Sequence, residues 1–178
     1  MALDHLSDKV LARKSAQKNQ AAFAVLVKRH SVTVRAVSRR LTRGAVEADD
    51  IAQTAFLTAW RKIATYSGGS FKSWIGMIVY REFLQYCRKR RLEVPFEEAS
   101  HADVSDNTFL KAGHKLDLDA ALNYLSEPQR ICVILCVATG FTHKEASLAT
   151  GWPLGTVKSH VNRGVVKLRQ YLSVDNVA

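Results

Sequence analysis

The chain has 178 residues, 47% of them hydrophobic, which suits a globular protein of one packed domain or two small ones. Lys and Arg number 26 against 16 Asp and Glu, and the formal charge of +10 favours a polyanionic partner through phosphate neutralisation and counterion release. No apolar run reaches the length of a membrane span or signal segment, and Cys87, Cys132 and Cys136 are an odd set, which argues against membrane insertion and a disulfide framework and for a cytoplasmic protein.

Charge is uneven along the chain. Residues 1–91 hold 18 basic and 6 acidic groups, residues 92–118 hold 2 and 6, and residues 119–178 hold 6 and 4, so two basic ends flank an acidic middle. Leu3 to Leu41 reads as two helices broken near Lys18-Asn19-Gln20, with Phe23, Leu26 and Val27 facing a core. His30, Arg35, Arg39 and Arg40 read as solvated surface, and Thr42-Arg43-Gly44 ends the hairpin. From Glu47 to Tyr66 a third helix is predicted, because Ile51, Ala52, Ala55, Phe56, Ala59, Trp60 and Ile63 line one face at helical spacing. Its other face carries Asp49, Asp50, Gln53, Thr54, Leu57 and Arg61.

Ser67-Gly68-Gly69-Ser70 cannot continue a helix cheaply, since glycine carries the largest backbone entropy penalty, and is predicted to be a loop. Phe71 to Arg91 then places Phe71, Trp74, Ile75, Ile78 and Val79 at helical spacing. Tyr80, Phe83 and Tyr86, interleaved with Lys72, Arg81 and Arg88, suit single-stranded DNA, where ring stacking and phosphate pairing act together, although some of these rings must be core. The run Arg88-Lys89-Arg90-Arg91 also complements a helix C-terminal dipole. Residues 92–116 lose periodicity and gain Glu93, Glu97, Glu98, Asp103 and Asp106, the composition of a flexible linker. Asp117 to Leu125 is predicted helical, and Ser126 with Gln129 forms a capping box around Pro128, opening a helix of Ile131, Ile134, Leu135 and Val137. Cys132 and Cys136 share a face of that helix, where small buried fillers are favoured over a metal or redox pair.

Thr142 to Leu172 is the stretch around which the rest is organised. Thr142 and Glu145 make a second capping box, Gly151 supplies a position tolerant of positive φ, and Trp152-Pro153 leads into a further helix. There Val157, Val161, Val165 and Leu168 form a stripe, while Lys158, Ser159, Asn162 and Arg163 fall on the opposite face. Lys and Arg bond guanine edges, Asn bonds adenine, and a helix fits the major groove, so the pattern is that of a helix-turn-helix reader.

The string Gly155-Thr156-Val157-Lys158-Ser159, with Arg163 beyond it, resembles the G-T-V-K-S-R run of region 4 of bacterial sigma factors, with His160 where Arg is commoner. ADDIAQTAFLTAW, residues 48–60, resembles the A-E-D-L-V-Q-E-T-F-L-R-A-W pattern of sigma region 2, with Thr54 in place of Glu. Phe71, Trp74 and Ile78 fit the F-R-x-W-L-x-x-I-A-R-N pattern that follows, with Arg81 for Asn and Gln85 for the later Asp, and LSEPQR, residues 125–130, resembles L-P-x-x-Q-R. The resemblance is to extracytoplasmic-function (ECF) sigma factors of the sigma-70 family.

It implies an all-α fold of two small helical domains, a region 2 bundle over residues 1–91 and a region 4 helix-turn-helix over residues 117–178, joined by the linker at 92–116. It also implies a specificity subunit of RNA polymerase rather than an enzyme, with no cofactor. By this resemblance Asp50, Gln53, Thr54 and Leu57 meet core RNA polymerase at the β′ coiled coil, and the β flap is the other expected contact on core polymerase. Lys158, Ser159, His160, Asn162 and Arg163 meet the −35 promoter element. Ser67, Gly68, Gly69, Ser70, Lys72, Tyr80, Arg81 and Arg88 meet the opened −10 strand, the loop accepting a flipped base. The acidic linker either threads a basic polymerase channel or keeps the chain soluble. An anti-sigma factor is the expected inhibitor, with the chain nucleoid-associated when active or held near the membrane by that partner. Two other classes share features of the sequence: a stand-alone helix-turn-helix regulator and a sigma-like decoy that sequesters an anti-sigma factor.

Overall fold

The computed structural model describes residues 3–93 and 118–174, so all but the first two residues of the expected linker lie outside the described residues. Among the described residues the chain is helical, without strands. The first unit comprises α1 (Asp8–Ala16), α2 (Gln20–Leu41), α3 (Ala48–Lys62) and α4 (Phe71–Glu93). The break predicted near residue 18 is a left-handed Lys18 at φ 66°, after which Asn19 restarts the chain by accepting the Ala22 N–H at 2.9 Å. An Asn side chain at that position satisfies one of the amides that a helix start leaves unpaired.

Leu11, Leu26, Val37, Leu41, Ile75 and Val79 are buried at the centre of this unit, and each large aliphatic side chain contributes about 1.5–3 kcal/mol by leaving water. Alanines at 52, 55 and 59 let α3 approach its neighbours, and Thr58 adds a hydrogen bond to Glu82 of α4 at 3.0 Å. His30 departs from the surface role read for it. It is 9% exposed, its Nε2 lies 2.8 Å from Asp8 Oδ2, and its ring packs 5.0 Å from that of Phe71. Arg29 pairs with the same carboxylate, so Asp8 fastens α1 to α2.

The second unit comprises α5 (Leu118–Asn123), α6 (Glu127–Val133), a π-helical turn (Ile134–Ala138), α7 (His143–Thr150) and α8 (Leu154–Val174). α5 stops short of the predicted Leu125, with Tyr124 and Leu125 donating back to Ala121 and Leu122 carbonyls at 3.2 Å. The π turn shifts its own residues out of register with α6. A wider turn advances each residue by less than an α-helix does, and Val137, expected in the core stripe, is instead 64% exposed. α6 and α8 cross closely at buried Gly164, where a Cβ would lie 2.6 Å from Val133 Cγ2.

The two units pack on each other. Ile131, Cys132, Ile134, Leu135 and Phe141 belong to the same hydrophobic cluster as Phe71, Ile75, Val79, Tyr80 and Phe83.

Candidate nucleic-acid interface

The helix-turn-helix is fixed by short-range chemistry. Thr142 Oγ1 accepts the Glu145 N–H at 3.1 Å while Glu145 Oε2 accepts the Thr142 N–H at 2.7 Å, closing the predicted capping box at the start of α7. Gly151 ends α7 at φ 76°, a left-handed conformation that glycine adopts without a Cβ penalty. Ser147 then donates to the Trp152 carbonyl at 2.6 Å, and Trp152 N–H donates to Thr150 Oγ1 at 3.3 Å, so the turn is tied at both ends. On α8, Val157 and Val161 are buried and Val165 and Leu168 half-buried, which turns Lys158, Asn162 and Arg163 outward. Ser159 is half-buried beside them.

His160 does not join the outward donors. Its ring packs edge-on against Trp152 at 5.7 Å, and its Nδ1 is buried with no hydrogen-bond partner among the described residues. That nitrogen is closed off from solvent in this packing, while the residue as a whole is half-buried.

α3 presents a second exposed face. Asp50, Gln53, Thr54 and Leu57 follow the three- and four-residue spacing that brings side chains to one face, and all are exposed, Leu57 at 59%.

The loop after α3 begins with a 3₁₀ turn at Ile63–Thr65, and the Tyr66 hydroxyl closes it by donating to the Gly69 carbonyl at 2.7 Å. Ser67, Gly69 and Ser70 are exposed and Gly68 is half-buried. Ser70 also accepts the Ser73 N–H at 3.1 Å, so its hydroxyl caps α4. Between this loop and α1 lies a cavity of about 310 Å³ lined by Lys9, Val10, Arg13, Ile63, Tyr66 and Gly68. Sequence reasoning missed the part played by α1, although Lys9 and Arg13 stand four apart and therefore share a helix face.

Along α4, Arg81 and Arg88 are exposed and Lys72 is half-buried. Tyr80 is a correction: it is 3% exposed, as is Phe83, so neither ring is available to stack on a base in this conformation. Burial pushes the Tyr80 phenol up to about 12, with Cys132, Cys87 and Glu127 adding to the effect. The thiols of Cys132 and Cys136 are each pushed up to about 11, first by burial, and stay protonated at neutral pH. Among the described residues no cluster of His, Cys, Asp and Glu could hold a metal ion, and no helix is long and apolar enough to cross a membrane.

A capped helix-turn-helix with an outward row of polar and basic side chains, in a chain that is helical throughout its described residues, is the architecture of a DNA-binding transcriptional protein. The sigma-70 region 2 family matches residues 26–93 and the sigma-70 region 4 family matches residues 115–168. The chain is 35% identical to the ECF RNA polymerase sigma factor EcfG of Rhodopseudomonas palustris over 80% of its own length and 81% of that relative. It is 32% identical to the ECF RNA polymerase sigma factor SigE of Mycolicibacterium smegmatis, matching over 83% of its own length but spanning 60% of that longer protein. In fold it is similar to the sigma factor RpoE of Bartonella quintana, solved with the anti-sigma factor NepR, at a TM-score of 0.64 and 30% identity over 84% of this chain and 98% of that one. The chain belongs to the ECF RNA polymerase sigma factors of the sigma-70 family. These are transcription initiation factors.

Proposed function

We propose that this chain binds core RNA polymerase, reads the −35 and −10 elements of its promoters and directs the start of transcription. The observation that carries the reading is the presence, on one chain, of two separate outward faces: Asp50, Gln53, Thr54 and Leu57 on α3, and Lys158, Asn162 and Arg163 on α8. The α3 face docks on the polymerase β′ coiled coil, its carboxylate and amide supplying direction and Leu57 the apolar area. The second unit lies at the β flap with α8 in the major groove, where Arg163 and Asn162 reach base edges and Ser159 and Lys158 add further contacts.

The loop at 67–69 and the cations Lys72, Arg81 and Arg88 hold the opened −10 strand. A flipped base requires a recess to replace its lost stacking, and the recess beside Gly68 supports this reading. Residues 1–91 and 117–178 act as the two DNA-facing domains. An anti-sigma factor is the proposed inhibitor, and the chain works in the cytoplasm, on the nucleoid when active.

Run-off transcription with purified core polymerase on a genomic promoter library tests this reading. Discrete start sites that depend on the protein are expected. Tight promoter binding without polymerase would replace the reading with a stand-alone regulator, and binding to an anti-sigma factor without initiation would replace it with a decoy.

A further inference from the structure

α1 and the turn that follows α3 border a recess of about 310 Å³, at the small end of the roughly 300–1,000 Å³ that ligand pockets occupy, so it admits one nucleobase and not two. Its lining is largely apolar, with Val10 and Ala16 from α1 and Ile63 and Ala64 from the 3₁₀ turn. Tyr66 adds an aromatic wall. Its ring is held by edge contacts to Phe71 at 5.5 Å and Trp74 at 5.6 Å, while its hydroxyl donates to the Gly69 carbonyl at 2.7 Å, so the mouth of the recess is formed before any ligand arrives.

The rim carries charge of one sign. Lys9 and Arg13 both border the recess, both are exposed, and neither has a carboxylate partner among the described residues. Other cations of the same unit do: Arg29 pairs with Asp8, Arg39 with Asp49 and Arg40 with Asp119. Asp8, the carboxylate next to Lys9 in the chain, is thus committed to Arg29 and His30 and leaves Lys9 uncompensated. The Lys9 stem reaches the loop itself, its Cε standing 3.9 Å from the Cβ position of Gly68.

Two cations one helical turn apart, beside an apolar slot with an aromatic wall, match the chemistry of a nucleotide, whose flat base leaves water and whose phosphates need counter-charges. Arg13 offers a planar fork that bonds a phosphate through two N–H groups, and Lys9 offers a mobile point charge. A small carboxylate would use the cations and leave the slot empty. An apolar peptide side chain would fill the slot and leave the cations unpaired.

We propose that α1 completes the strand-holding site: Lys9 and Arg13 bind the phosphates on either side of one single-stranded nucleotide whose base enters the recess against Tyr66. This rests on the −10 reading proposed above, which drew its cations from α4 alone. Lys9 and Arg13 are positioning residues, setting where the strand lies, and the lining of the recess meets the base.

Fluorescence anisotropy with the full-length protein tests it, using a labelled oligothymidylate and an abasic deoxyribose-phosphate strand of the same length. The wild type is expected to bind the thymidylate about fivefold or more tighter, the gain from placing one base. Lys9→Gln combined with Arg13→Gln should lose about tenfold or more at about 50 mM salt, and the slope of log affinity against log salt should fall by about 1.4, or about 0.7 for each of two phosphates. Gln favours a helix about as well as Lys or Arg, and an unchanged melting temperature checks the fold. Lys28→Gln combined with Arg35→Gln removes the same charge from exposed positions of α2 outside the recess and should cost less than about threefold. Ala64→Phe, which fills the recess, should keep the slope and abolish the preference for thymidylate over the abasic strand. Equal losses in the two double variants, a preference that survives Ala64→Phe, or a wild type that does not distinguish the strands would overturn the inference. Displacement of the strand by micromolar thymidine monophosphate would also overturn it, assigning the recess to a free nucleotide. Strand binding that depends on Lys9 and Arg13 in a protein that starts no transcription with core polymerase would leave the site standing and remove the proposed function instead.

Discussion

The outward face of α8 and the length of α4 share a sequence logic, cations interleaved with polar or aromatic side chains, and part company in the folded chain. On α8 the donors Lys158, Asn162 and Arg163 stand in solvent, backed by Val157 and Val161. On α4 the cations Arg81 and Arg88 are exposed, but the rings of Tyr80 and Phe83 are buried. A duplex is read by a rigid helix face that can be displayed in advance, because polar donors cost nothing in water. Aromatic rings meant for stacking are apolar, and a neighbouring element that covers them in the free protein lowers its free energy. In the folded chain the α8 donors are therefore open to solvent while the α4 rings are covered.

The harshest way to break this comparison is to remove the reader altogether. Gly164→Leu forces a side chain into the α6–α8 crossing, where Val133 already stands 2.6 Å from the Cβ position, and should destabilise the second unit by about 3 kcal/mol. Urea unfolding followed by circular dichroism measures it, and a change under about 0.5 kcal/mol would show that the crossing yields. Arg163→Ala sharpens the comparison from the other side. It should weaken recognition at one −35 position by about 1–3 kcal/mol, read by competition among single-base promoter variants. An equal loss on every variant would assign Arg163 to phosphate.

Gln53→Ala should reduce core binding by about 1 kcal/mol, the worth of an ordinary hydrogen bond, with the melting temperature unchanged. Equal capture of polymerase by wild type and variant would remove Gln53 from the interface. The smallest effect concerns the covered region. With thiols pushed up to about 11, Cys132 and Cys136 carry about one thiolate per thousand molecules at pH 8, and iodoacetamide should label them about a hundredfold more slowly than in the unfolded chain. Because these folded-state values exceed the ordinary 9.0, the associated stability is complete below pH 9 and lost as pH rises towards 11. Fast labelling of Cys132 in the native protein would mean that this thiol is not buried in solution.

Much of the fold was legible because its signals are local. Thr142 with Glu145, Asn19 before α2 and Gly151 after α7 each act on amides or carbonyls within a few residues, and the structure places each as its chemistry requires. The exposed set on α3 was equally readable, since Asp50, Gln53, Thr54 and Leu57 need no more than helical spacing to share a face. The π turn was not readable, because nothing in Ile134–Ala138 marks the wider turn that sends Val137 outward.

By itself the sequence determined the helices, their caps, the helix-turn-helix and the family, all of which follow from periodicity and from hydrogen bonds between near neighbours. The tertiary structure alone decided that His30 is bound to Asp8, that Tyr80 is covered, that His160 packs on Trp152, and that α1 lines the recess beside Gly68. Each of those outcomes depends on which distant or neighbouring element arrives against a side chain. Composition and periodicity do not encode that, because burial belongs to the packed pair and not to the residue.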